Sequence, residues 1–189
     1  MHWVEDLVVV LDRQAQVGGS VLVSQLALPS MCPGWTVGDV LSHSIGVSIK
    51  FADFAAGMTD RPRSPRGDLF GDDHRAALSE AAERARASWA TADMTRAFVL
   101  PFGSFTAEEA AGINLSDALA HTWDVTRALG MPVGVEDRVW ESALSAARRV
   151  AGPNRDPAHY GPQRPVDRSD PPMRRFLCFL GRDDRACGG

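Results

Sequence analysis

The chain has 189 residues, 20 of them lysine or arginine and 24 aspartate or glutamate, for a formal net charge of −4. That length suits one domain, residues 1–189, with a sizeable core, and so mild an acidity argues against nucleic acid or an anionic membrane as the main partner. No apolar run approaches the length of a membrane span, and the acidic start Met1-His2-Trp3-Val4-Glu5-Asp6 is unlike a basic secretory leader, so a cytoplasmic protein is expected.

From Trp3 to about Leu26, apolar residues recur at helical spacing (Leu7, Val10, Leu11, Val17, Val21, Leu22), with Gly18-Gly19 marking a bend. Pro29 to Gly34 connects, and Pro33-Gly34 is a turn signal. Thr36-Val37-Gly38-Asp39 reads as a capping sequence, with Trp35 placed to staple the start of a second helix that runs to about Ala56 and stops at Gly57. Residues 58–72 carry prolines, glycines and alternating charges, as a loop lying across a site would. Asp72 or Asp73 caps a third helix to about Trp89, with a small-residue face of Ala76, Ala77, Ala81 and Ala85. Thr95 to Leu100 leans towards strand, and Pro101-Phe102-Gly103 turns it into one short hairpin. Thr106 and Glu109 form a capping box for a fourth helix through Leu129, which Gly130 ends. A fifth helix covers about Val135–Val150. The proline-rich 153–172 segment is extended, and a last short helix around Met173–Leu180 packs back on the body. Long helices with little strand predict an all-α protein, a four-helix bundle with additional C-terminal helices.

On the fourth helix Asn114, Asp117, His121 and Asp124 are spaced 3, 4 and 3, which sets them on one stripe. Apolar neighbours on both sides predict burial, and buried polar groups need partners. A divalent metal would satisfy Asp117 and His121, whose i,i+4 spacing lets both reach one point. His43, on the second helix, would complete a set of two imidazoles and one carboxylate, which leaves a coordination position open. The spacing is equally compatible with a solvated face on which Asp117 and His121 make a weak surface pair. Asp124 suits a residue that orients a ligating histidine, or one that simply bonds a neighbouring helix or loop. Arg127 complements the helix dipole. His2, His74 and His159 are weaker ligand candidates. Cys32, Cys178 and Cys187 are odd in number and lack CxxC spacing, which excludes a cysteine metal knuckle and a disulfide framework; Cys178 reads as core.

The segment CPGWTVGDVLSHSIG (Cys32–Gly46) resembles the CPGWTVRDLLAHL-type signature of the DinB-like metal-binding superfamily. More narrowly, it looks like the actinobacterial branch that contains the mycothiol-dependent maleylpyruvate isomerase N-terminal domain. LPFGSFTAEEAAGINLSDALAHTWDVTRALG (Leu100–Gly130) is similar to that branch's second signature, and FLCFLGR (Phe176–Arg182) resembles its usual ending. Lys50 is the only lysine, an arginine bias that fits a GC-rich actinobacterial source. The resemblance implies a DinB-like four-helix bundle holding a divalent metal, zinc or nickel, on His43, Asp117 and His121. The isomerase has glutamate at the middle position, where this chain has the shorter Asp117, and it has a second domain for which this chain lacks room. Its maleylpyruvate substrate is therefore not carried over.

The function expected is that of a metal-dependent enzyme using a low-molecular-weight thiol, mycothiol or similar, to transfer to or isomerise a small electrophilic metabolite. Its catalytic complement would include Asp124, and the 58–72 loop with Phe51 and Phe54 would wall the pocket. The alternatives are a metal-water hydrolase, hydratase or cyclase-type enzyme of secondary metabolism, and a non-catalytic bundle stapled by metal. Small-molecule substrate and thiol are the expected partners, with a monomer or homodimer as the assembly.

Overall fold

The computed structural model describes residues 3–59, 69–100, 103–151, 155 and 160–183. Six helices, α1 (Trp3–Ser20), α2 (Val37–Ala55), α3 (His74–Ala90), α4 (Ala107–Ala128), α5 (Asp137–Ala151) and α6 (Pro172–Leu180), accompany one hairpin, β1 (Ala97–Leu100) and β2 (Gly103–Thr106). Helix α1 packs on α3 and α4, and α2 on the same two, which closes a four-helix bundle; α5 adds to α4, and α6 to α5. The strands are antiparallel, with Ala97 opposite Thr106 and Leu100 opposite Gly103. No described helix is long and apolar enough to cross a membrane.

The main core runs through the bundle centre and out to α5 and α6, with Leu7, Leu11, Phe51, Leu115, Leu119, Leu144 and Phe176 fully or almost fully buried. A second apolar cluster (Val17, Val37, Val40, Leu41, Ile45, Leu78, Val125) fills the end of the bundle where α2 begins. Each such side chain contributes roughly 1.5–3 kcal/mol on leaving water, so these stripes decide which helix faces meet.

Two elements differ from the sequence expectation. Helix α1 ends at Ser20 rather than near Leu26, and Val23–Gln25 forms a separate 3-10 turn. Gly18 stays inside the helix because α3 approaches closely there: a Cβ at Gly18 would lie 2.3 Å from Leu78 Cδ1. Past Ser20 the backbone finds partners outside the helix, with Val21 O facing His74 Nε2 at 3.1 Å and Leu22 N donating to Gln25 Oε1 at 2.8 Å. On α3 the buried face is His74, Leu78, Ala81, Ala82, Ala85 and Trp89, while Ala76 is exposed. Alanine favours helix on any face, so Leu78 and Trp89, three turns apart, fix the rotation instead.

Candidate metal centre

The site begins with a turn. Trp35 N donates to Cys32 O at 3.0 Å, and Gly34 at φ 79° supplies the left-handed residue that a Pro-Gly type II turn needs. Such a turn brings its two ends, Cys32 and Trp35, side by side. Helix α2 starts at once: Asp39 N donates to Thr36 Oγ1 at 3.1 Å and Thr36 N to Asp39 Oδ2 at 2.8 Å. The reciprocal bonds fix the helix phase, and with it the direction of His43 two turns on. Helix α4 is set the same way by Thr106 and Glu109, with bonds of 3.1 and 3.0 Å.

His43, Asp117 and His121 converge. Asp117 Oδ1 lies 3.4 Å from His43 Nε2 and 3.7 Å from His121 Nε2. The three donor atoms fall within 4.8 Å of one another, and the imidazole centroids are 4.8 Å apart. Ligands about 2.1 Å from a tetrahedral ion stand about 3.4 Å apart, so the donor set fits a divalent metal with only small side-chain movements. These side chains are not sealed away: His43, Asp117 and His121 are 22, 29 and 12% exposed, leaving an approach for a further ligand. Trp35 forms one wall, its ring nearly parallel to His121 at 6.2 Å and edge-on to His43 at 5.3 Å.

The other edge of the His121 ring is held differently. Its Nδ1 lies 3.0 Å from Asp124 Oδ2, and Cys32 Sγ donates to the same oxygen at 3.1 Å. Arg182 grips the carboxylate with both arms of its guanidinium, Nε to Oδ1 at 2.8 Å and Nη2 to Oδ2 at 2.7 Å. Cys32, His121 and Asp124 also have metal-ligand spacing. With both Asp124 oxygens engaged by a half-buried cation, however, that group is poorly suited to a second ion.

Electrostatics follow this layout. Burial would raise the Asp124 pKa, but hydrogen bonds from Arg182 and His121 outweigh it and hold the carboxyl well below its usual range. Asp117 behaves alike: where the neighbouring His121 and His43 rings carry a proton, their charge outweighs burial and keeps it ionised. Burial lowers His43, yet the Asp117 charge more than compensates and its pKa rises. An ionised Asp124 only accepts, so Nδ1 of His121 is the donor, and in the neutral ring the lone pair sits on Nε2. That lone pair faces Asp117 Oδ1. A ring proton or a metal ion between these two acceptors, 3.7 Å apart, would satisfy both.

The remaining stripe member, Asn114, is fully buried, and its side-chain polar atoms have no hydrogen-bond partner among the described residues. Cys178 is core, at 1% exposure, and His74 is a buried residue facing Val21 O. Phe51 and Phe54 are each 2% exposed and belong to the core, and Phe54 also borders a small cleft with Gly57, Met58 and Arg96. His2, His159, Cys187, Pro101, Phe102 and residues 60–68 of the expected site loop lie outside the described residues. Sequence reasoning missed Cys32, Trp35 and Arg182. The first two sit in a Cys-Pro-Gly-Trp segment whose Pro-Gly pair announces a turn with adjacent ends.

Comparison with known proteins agrees with this architecture. Residues 11–126 match the family model described as the mycothiol maleylpyruvate isomerase N-terminal domain. Two proteins of Mycobacterium tuberculosis, uncharacterized protein MT0763 of strain CDC 1551 and uncharacterized protein Rv0738 of strain H37Rv, are each 30% identical over 176 residues, 92% of this chain and 94% of theirs. No solved structure matches significantly. Spanning both site helices and more than half of the chain, the family match establishes that this protein belongs to the mycothiol maleylpyruvate isomerase N-terminal domain family, a DinB-like family.

Proposed function

We propose that this protein is a metal-dependent enzyme that uses a low-molecular-weight thiol of the mycothiol type to transfer to, or isomerise, a small electrophilic metabolite. The observation that carries the proposal is the opposition of His121 Nε2 and Asp117 Oδ1 at 3.7 Å, with His43 Nε2 3.4 Å from the same oxygen. Family membership supports the thiol, through the activity named in the family's description. His43, Asp117 and His121 would hold zinc or nickel, and such an ion supplies positive charge that keeps a bound thiol as thiolate at neutral pH. Asp117 contributes a hard oxygen and one negative charge. Asp124 holds the Nδ1 proton of His121 and so keeps Nε2 turned towards the centre. Trp35 offers an apolar face that excludes water from one side.

The test is elemental analysis of the purified protein and of His121→Ala, followed by rates with a panel of enals, epoxides and alkyl halides, with and without mycothiol. About one equivalent of zinc or nickel per chain, lost in the variant, and a rate that requires both thiol and metal are expected. A folded His121→Ala protein that keeps its metal and its thiol-dependent rate would refute the assignment. A metal-dependent rate indifferent to thiol would identify water as the nucleophile instead.

A further inference from the structure

Asp124 is 0% exposed, yet it gathers three donors, His121 one turn away on its own helix and two from distant parts of the chain, Cys32 in the turn before α2 and Arg182 beyond α6. The sequence around Arg182 explains how it arrives there. Gly181 N donates to Cys178 O at 3.1 Å and Arg182 N to Leu177 O at 2.9 Å, the paired bonds of a Schellman ending. Gly181 takes φ 87°, and its Cα face abuts Gly161, where a Cβ would lie 2.7 Å from backbone atoms. Helix α6 itself is anchored by Phe176, Leu177 and Cys178, all buried. A rigid, core-bound helix therefore ends in a fixed left-handed turn that sends one arginine back into the bundle.

A lone aspartate carboxylate can swing about its last torsion and offer either oxygen, or neither, to a neighbouring ring. The two-armed grip of Arg182 removes that freedom, because a planar guanidinium and a planar carboxylate bond best in one mutual orientation. We infer that Arg182 is a positioning residue for the candidate metal centre: by locking Asp124 it fixes the proton of His121 on Nδ1 and leaves Nε2 free to bind an ion. Cys32 assists by donating its thiol proton to the same oxygen. The inference rests on the proposed metal site for its consequence, but the state of the His121 ring is measurable without any metal.

The experiment uses the full chain labelled with 15N, metal-free at pH 8, where ring-nitrogen chemical shifts distinguish protonated from bare nitrogens, together with zinc titration by competition with a chelating dye. Wild type should show His121 with a proton on Nδ1 alone. Arg182→Gln should mix the two ring forms and weaken zinc binding about 10–100-fold, as loss of an outer partner typically does. Arg182→Lys, which keeps the charge but not the fork, should fall between. Arg175→Gln is the matched control, since it removes the α6 ion pair to Glu141 and should change neither readout. If Arg182→Gln keeps the wild-type ring form and zinc affinity, or if Arg175→Gln loses both to the same degree, the inference is overturned. If Arg182→Gln fails to fold, wild-type behaviour of Arg182→Lys overturns it equally. Wild type that binds no zinc but loses its single ring form in Arg182→Gln would refute the metal assignment and uphold the positioning role.

Discussion

Cys32 stands 3.8 Å from His121 Nδ1, close enough to invite a role as nucleophile, but in the metal-free site its neighbours decide against that role. Burial, then the Asp124 charge, pushes the thiol pKa up to about 12, with Arg182 opposing less strongly. A thiol with that pKa is about one part in ten thousand thiolate at pH 8, and only the thiolate reacts. Alkylation of Cys32 by iodoacetamide, followed by mass spectrometry, should therefore run orders of magnitude slower than for a free peptide cysteine at pH 8. A rate matching the peptide would show that the donor bond to Asp124 does not form. At this scale the site was half legible from sequence. Asp117 and His121 are four apart on one helix, so their convergence is local geometry, and His43 was the one histidine on a facing apolar stripe. Cys32 and Arg182 meet Asp124 from 92 and 58 residues away, and no spacing rule reaches that far. The position of Trp35 before the cap is also the staple position, so its sequence context points to the helix start, whereas the turn carries its ring onto the histidines.

Helix starts in this protein were readable because their causes lie within four residues. Thr36 with Asp39 and Thr106 with Glu109 form the reciprocal caps that their order predicts, and Asp73 caps α3 by accepting from Arg75 N at 2.8 Å. Helix ends and rotations depend on what packs against them. The end of α1 reflects contacts from α3, and the buried face of α3 reflects Leu78 and Trp89 rather than its alanines. The α6 ending is the element with most leverage on the site. Gly181→Ala must place a side chain at φ 87° and 2.7 Å from Gly161, which costs about 1–3 kcal/mol. A lower urea midpoint is expected, accompanied by weaker zinc binding as Arg182 is displaced. A stability loss that leaves zinc affinity untouched would mean that the arginine reaches Asp124 without this turn.

Across the whole molecule, the depressed carboxylates tie stability to pH. A group whose folded pKa lies below its unfolded value, near 3.8 for aspartate, stabilises above that value and loses its contribution as pH falls towards the folded one. Asp117 and Asp124 belong to this class, as do the capping residues Asp39 and Glu109. His43 runs the other way: its contribution is present below 6.5 and fades as pH rises through its elevated folded pKa. For metal-free protein the urea midpoint should hold through the weakly acidic range and drop below about pH 4, with a shallower drop in Asp124→Asn. A midpoint independent of pH down to 3 would contradict the charge network described for α4.

Of the five tryptophans, Trp3, Trp89, Trp123 and Trp140 are 5% exposed or less, while Trp35 is 38% exposed and lies against both imidazoles. The protein thus carries its own optical gauge: emission at the red edge of the spectrum, and quenching by acrylamide, report on one indole. An ion settling between the rings of His43 and His121 should alter that signal before any turnover assay exists, so occupancy can be followed by light alone.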